Sequence, residues 1–240
     1  MGIYRFADRI FELRNKYAYT EQLCADYACG GTPDFIIEFD DAEIEAERRD
    51  DGDFSLGYLE SLAFYRRIAE LLMKDGCILM HGAAIEYDGK AYIFTAKSGT
   101  GKTTHISLWK KAFGDKVTII NGDKPLLRVK RQDENAVFTV YGTPWCGKEG
   151  KNTDTSATLG GICLLRRSEN NTVKPAENEK IVPFLLGQMF FGSKETDVAY
   201  LLETLDLLIK NIPIYSLGCN MEEEAAFKAR KALVCGETEK

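Results

Sequence analysis

Tyr92-Ile93-Phe94-Thr95-Ala96-Lys97-Ser98-Gly99-Thr100-Gly101-Lys102-Thr103-Thr104 decides the fold. An apolar, β-favouring run enters a loop with two glycines. Ile106, Leu108, Trp109 and Phe113 then recur at helical spacing, predicting a helix over 102–113. The loop matches the phosphate-binding pattern G-x-x-x-x-G-K-[S/T], a P-loop, at every position but the first, where Ala96 stands for glycine. The physics of the motif tolerates that change. Gly99 and Gly101 permit left-handed backbone, so successive N–H groups can turn toward phosphate oxygens. A helix starting near Lys102 adds its positive dipole end. In such a cradle Ser98, Gly99, Thr100, Gly101, Lys102, Thr103 and Thr104 hold the phosphates. Lys102 reaches the outer ones and the Thr103 hydroxyl ligates Mg2+. Ala96 is expected at an ordinary negative φ.

Upstream, Asp88-Gly89 separates two short β-favouring runs and signals a tight hairpin, so the sheet is not all parallel. Before it come a helix over 56–74 and a bent strand over 77–85. Downstream the pattern predicts strands at 117–120, 126–129, 137–141, 159–165 and 212–217. Helices are expected at 180–191 and 196–211, and a capping-box-like Asn220-x-x-Glu223 introduces a last one. Residues 3–39 read as short strands and turns, and the acidic run 40–53 as a solvated loop. The expected architecture is α/β: a mixed sheet with a P-loop and flanking helices over 76–240, preceded by a β-rich annex with a connecting helix over 1–75.

Composition narrows the function classes. With 45% hydrophobic and 28% charged residues in 240, the chain is globular rather than disordered. A net charge of −6 leaves no large electrostatic footprint for nucleic acid or an anionic membrane. No uninterrupted apolar run approaches the ~18 residues of a membrane helix, and the start lacks a signal-type apolar core. Seven cysteines without a C-x-x-C pair, beside only two histidines, argue against a zinc site or a disulfide framework. Buried free thiols in a reducing cytosol fit better, and the expected location is cytoplasmic.

Three further features invite chemistry. Val117-Thr-Ile-Ile120-Asn121-Gly122-Asp123 is an apolar strand ending in an acid, and Asp123 can hold Mg2+ or accept a proton from an attacking hydroxyl. The two histidines bracket the P-loop. The hairpin would bring His81 toward the phosphate end of the sheet, whereas His105 reads as packing. The loop Gly142 to Asn152, with Trp145, Lys148 and Lys151, has the glycines and charges of a mobile acceptor-binding loop, and equally those of a plain surface loop. Arg166-Arg167 follows a strand and can either reach phosphates or cap a turn.

Taken together, His81-Gly82, the hairpin, Ser98 to Thr104 and a strand ending at Asp123 resemble the core of the HPr kinase/phosphorylase family. The same order of parts is similar to the nucleotide-binding half of ATP-dependent phosphoenolpyruvate carboxykinase, whose loop reads S-G-T-G-K-T-T. The resemblance covers about residues 76–235. It implies a shared mixed-sheet fold, ATP and Mg2+ as cofactors, Ser98 to Thr104 on the phosphates and Thr103 on the metal. It further implies Asp123 as metal ligand or general base and His81 near the transferred group. The implied activity is phosphoryl transfer to a hydroxyl, with Ser or Thr of a protein or peptide as acceptor. A homo-oligomer is left open. Two alternatives stand beside it: a nucleotide-binding module with little turnover, and a kinase for a small metabolite. A docking surface within 1–75 would favour a macromolecular acceptor, and a lid would favour a small one.

Overall fold

A computed structural model describes residues 1–49, 52–132, 135–190 and 195–238. The chain opens with a hairpin, β1 (Gly2–Phe6) and β2 (Arg9–Leu13). α1 (Ala18–Leu23) follows, then β3 (Phe35–Ile37), which adds in parallel to β2. After α2 (Asp41–Glu45), the long α3 (Leu56–Met73) leads into the main sheet.

Both short helices depart from the sequence reading. α1 lies where strands and turns are expected, because a distant side chain satisfies its start. Glu60 of α3 is 1% exposed, and its carboxylate accepts from Lys16 N at 2.6 Å, Tyr17 N at 3.3 Å and Thr20 Oγ1 at 3.2 Å. α2 interrupts the acidic run through a capping box. Asp40 accepts from Glu43 N at 2.8 Å, and Glu43 accepts from Asp40 N at 3.0 Å, while Ile44 is buried beneath. Residues 50 and 51 of that run lie outside the described residues. Glu60→Ala should strand two backbone N–H groups and a hydroxyl, destabilising the fold by about 2–4 kcal/mol. Urea unfolding at constant m-value checks this, and a loss below about 0.5 kcal/mol would contradict it.

The main body comprises β4 (Cys77–Met80), β5 (Ala83–Tyr87), β6 (Lys90–Thr95), α4 (Lys102–Phe113), β7 (Val117–Asn121), β8 (Leu126–Gln132) and β9 (Asn135–Tyr141). It continues with β10 (Ser156–Arg167), β11 (Thr172–Pro175), α5 (Asn178–Leu186), β12 (Met189–Phe190), α6 (Glu195–Asn211), β13 (Ile214–Cys219) and α7 (Glu224–Cys235). The hairpin turns at Asp88-Gly89, both at positive φ. The mixed ten-stranded sheet runs β12-β4-β8-β9-β10-β6-β5-β7, with β13 added to β10 and β11 to β13. β10 is the spine. Its first residues pair antiparallel with β9, its middle parallel with β6, and its end parallel with β13.

Helices cover both faces. Leu201, Leu205 and Leu208 of α6 pack with Ile181 and Leu185 of α5 on one side. Trp109 of α4 and the alanine face of α7 (Ala226, Ala229, Ala232) pack on the other. A further apolar cluster joins the three-stranded sheet and α3 to Cys77, Leu79 and Leu126 of the main sheet.

Several boundaries differ from the sequence reading. The helix expected over 180–191 ends at Leu186, because Gly187 breaks it and Met189-Phe190 pairs with the free edge of β4; residue 191 lies outside the described residues. β11 is an unanticipated edge strand. The Asn220 capping box does not form: its Oδ1 accepts from Glu222 N at 3.0 Å, its amide donates to Glu169 O, and α7 begins at Glu224. Of the seven free cysteines only Cys24, Cys77, Cys146 and Cys163 are buried; Cys235 is exposed. Among the described residues no helix is long and apolar enough to cross a membrane.

Candidate functional site

β6 ends at Thr95, and the loop from Ala96 to Gly101 carries the chain into α4. Ala96 is buried and is not among the positive-φ residues, as its side chain requires. Gly99 (φ 76°) and Gly101 (φ 118°) lie in the left-handed region, and a Cβ at either would meet nothing within 4 Å. The loop therefore faces open space while its backbone takes a shape that favours glycine. The first N–H groups of α4 lack partners earlier in the helix and point the dipole's positive end the same way. Arg167, at the end of β10, donates to Gly99 O at 2.5 Å. Of the two arginines considered in the sequence, this one reaches the loop.

Three side chains from three elements meet beside it. Lys102, first residue of α4, places Nζ 2.8 Å from His81 Nε2 and 3.9 Å from Asp123 Oδ1. His81 Nε2 lies 3.2 Å from the same carboxylate oxygen. His81 follows β4 and Asp123 follows β7, which are not neighbours in the sheet. The backbone ties them together: Gly82 N donates to Asp123 O at 2.9 Å, and Thr95 Oγ1 donates to His81 O at 2.8 Å.

Charge is finely divided here. Burial raises the Asp123 carboxyl, but the His81 hydrogen bond and the charges of Lys124, His81 and Lys102 outweigh it, leaving the pKa below its ordinary value. Burial holds Lys102 below its ordinary value as well, opposed by Asp123 and reinforced by Lys124. His81 Nδ1 lies 2.9 Å from Gln188 Oε1, and His81 N donates to Gln188 O at 2.7 Å. With Nδ1–H donated to Gln188, Nε2 is free to accept from Lys102; with both nitrogens protonated, Nε2 donates to Asp123 instead. Gln188 escaped the sequence reading because only the pairing of β12 with β4 brings it here.

Asn121 organises the next layer. Fully buried, it accepts from Asp123 N at 2.8 Å and Lys124 N at 2.6 Å, and donates to Thr143 O at 2.8 Å. Asn152 donates to the same Thr143 carbonyl at 2.9 Å. The loop 142–152 is thus pinned at both ends. Trp145 donates to Ser61 O at 3.1 Å and packs on Phe6 and Tyr65, anchoring the loop to α3 and the first hairpin. Lys151 donates to Ser107 Oγ of α4 at 2.9 Å, and Lys148 lies beside the cleft at Asp123. The sequence predicts mobility over the whole loop, but these contacts hold its first part, where Gly142, Thr143, Pro144 and Cys146 are buried, while Gly147–Gly150 are exposed. Hydrogen-exchange mass spectrometry should find 142–146 slow without ligand and 147–150 fast, with 147–150 slowed by Mg-ATP. Equal exchange across 142–150 would contradict the pinning.

Clefts flank the triad. One, of about 710 Å³, runs from Gly99, Thr100 and Thr104 to Arg167, Cys219 and Met221 at the carboxyl ends of β10 and β13. Two more lie on the Asp123 side, of about 390 and 430 Å³, sharing Tyr65 and Lys124. His105 takes no part in the triad: it sits under Phe94, accepts from Trp109 Nε1 at 3.2 Å, and burial pushes its pKa down to about 3.

No family model matches the chain, and no curated protein matches it. Among solved structures, one described as the Hpr(Ser) kinase/phosphatase from Coxiella burnetii aligns with 66% of this chain and 94% of its own at 10% identity and a TM-score of 0.31. At that TM-score the likeness carries no argument about this chain's fold or activity.

Proposed function

We propose that the chain is an ATP- and Mg2+-dependent phosphotransferase that moves the terminal phosphoryl group onto a hydroxyl, as of Ser or Thr, in a protein or peptide. The observation that carries this reading is the meeting of Lys102, His81 and Asp123 beside an open glycine loop at the N-terminus of α4. Loop N–H groups and Lys102 would bind the phosphates, and the cleft running to Arg167 and Met221 has room for the rest of a nucleotide. The cytoplasm is the proposed compartment, since ATP is available there.

Thr103 and Asp123 supply one hydroxyl and one carboxylate, and Thr103 Oγ1 makes no hydrogen bond among the described residues, so it is available as a ligand. That donor set suits Mg2+, which is usually held by one or two carboxylates together with substrate phosphates and water. Among the described residues no group of three or more His, Cys, Asp or Glu side chains forms a separate metal cage. When bound, the ion neutralises charge on the outer phosphates.

The acceptor oxygen attacks the γ-phosphorus as the bond to the β,γ-bridging oxygen breaks, and ADP departs with that electron pair. The hydroxyl proton passes to Asp123. Because Asp123 is held below its ordinary pKa, it is a modest base, and its larger contribution is orientation of the acceptor in a loose transition state. Burial holds the Lys102 ammonium below its ordinary pKa, opposed by Asp123, and an incoming phosphate would favour its charged form further.

Calorimetry with Mg-ATP, followed by ADP release in the same preparation, tests the proposal. One bound nucleotide with measurable turnover supports it. The alternative, a binding module with little turnover, draws support from Asp123 standing as a single carboxylate engaged by His81, Lys102 and Lys124. Tight binding with no ADP formed, with or without acceptor, would favour that reading.

A further inference from the structure

We infer that the acceptor hydroxyl is delivered by a peptide segment lying in the aromatic groove between α3 and the 142–152 loop, with large apolar residues beside the hydroxyl residue and acidic residues beyond them. The inference rests on the phosphotransferase reading and specifies its acceptor.

The groove reaches the reaction centre. Tyr19, Tyr58, Leu62 and Trp145 line the 390 Å³ cleft together with Asp123. An acceptor held by those rings therefore has the carboxylate within the same enclosure, on the side away from the larger cleft at Gly99 and Arg167. The apolar lining does not stop at the cleft. Tyr58 meets Tyr19 edge-on at 6.1 Å and Phe54 at a tilt at 5.4 Å between ring centroids. Phe54 is 43% exposed, Tyr19 40% and Leu56 39%, so a strip of apolar surface leads outward from the groove. A small metabolite seated at Asp123 would leave that strip bare, whereas an extended segment would cover it.

Charge points to the same occupant. Lys148 at one rim and Arg49 beside the adjoining cleft are exposed and have no ion-pair partner among the described residues. Arg66 and Lys124 add further positive charge, each already paired, with Glu47 and Asp123. In a chain of net charge −6, two exposed cations beside these adjoining clefts, Lys148 and Arg49, favour an acidic partner.

The test uses the full chain, Mg-[γ-32P]ATP and a degenerate peptide library with a fixed central Ser or Thr. Labelling should select large apolar residues next to the centre and Asp or Glu further out. Lys148→Glu, at an exposed position, should weaken the acidic preference about fivefold, the size of one exposed charge pair. Tyr19→Ser should flatten the apolar preference. If the protein binds and turns over Mg-ATP but labels peptides without these preferences, the groove proposal fails and the phosphotransferase reading stands. If it labels small phenols or polyols instead, the groove proposal fails with the peptide acceptor, and phosphoryl transfer from ATP alone stands. If Mg-ATP is not bound, both fall together.

Discussion

Asp123→Asn lowers turnover by about 10²-fold or more while Mg-ATP affinity changes far less; that is the expected result. The substitution keeps the shape of the side chain and removes its charge. In the resting site that charge is shared by His81, Lys102 and Lys124, so its loss frees Lys102 for phosphate while depriving the acceptor of its orienting group. Steady-state rates beside calorimetric affinities separate the two effects. Rates that barely change would remove Asp123 from the mechanism and favour the binding-module reading. The pH profile carries a second signature. Because the carboxyl is held below its ordinary 3.8, the wild type should lose no activity to Asp123 protonation until the pH falls below that value. The ionised carboxylate also stabilises the fold above the unfolded-state pKa, and that contribution disappears as pH falls through the folded-state one.

Lys102→Ala should abolish tight Mg-ATP binding. A charge-assisted contact to phosphate from a largely desolvated ammonium is worth about 1.5–3 kcal/mol, and Lys102 is buried at the start of α4, directly after the loop. Its removal also leaves His81 Nε2 and Asp123 Oδ1 facing each other at 3.2 Å without the ammonium beside them. The thermal midpoint therefore belongs with the titration, to show that the variant remains folded. Affinity within about threefold of wild type, under about 1 kcal/mol, would mean the loop is not a nucleotide site.

How much of this was legible in the residues depends on the range of the interactions. The loop from Ala96 to Thr104, the Asp88-Gly89 hairpin and α3 are governed by local backbone preference and short-period patterning, and they read directly. His81 and Asp123 could be listed from sequence, but their approach to Lys102 depends on backbone bonds between Gly82, Asp123 and Gln188 that no local pattern encodes. Gln188 was invisible because Met189-Phe190, read as helix, joins a sheet edge. α1 was missed because what satisfies its start, Glu60, lies forty residues along the chain. The 142–152 loop looked free because its glycines are local, whereas Asn121, which pins it, belongs to another strand.

The pairing of β10 has a consequence for how the protein is made. The glycine loop hangs from the end of β6, and β6 is gripped on one side by its own hairpin partner and on the other by β10, which matches Lys90 with Thr158 and Thr95 with Leu164. A nascent chain that has emerged only as far as β9 holds every residue of the Lys102–His81–Asp123 group and lacks the strand that flanks the loop. Closing so long a chain segment before parallel pairing can reward it slows folding. Ligand binding by ribosome-tethered intermediates should thus switch on late, once residues through Met221 at the far wall of the cleft have cleared the exit tunnel, rather than rise gradually with length.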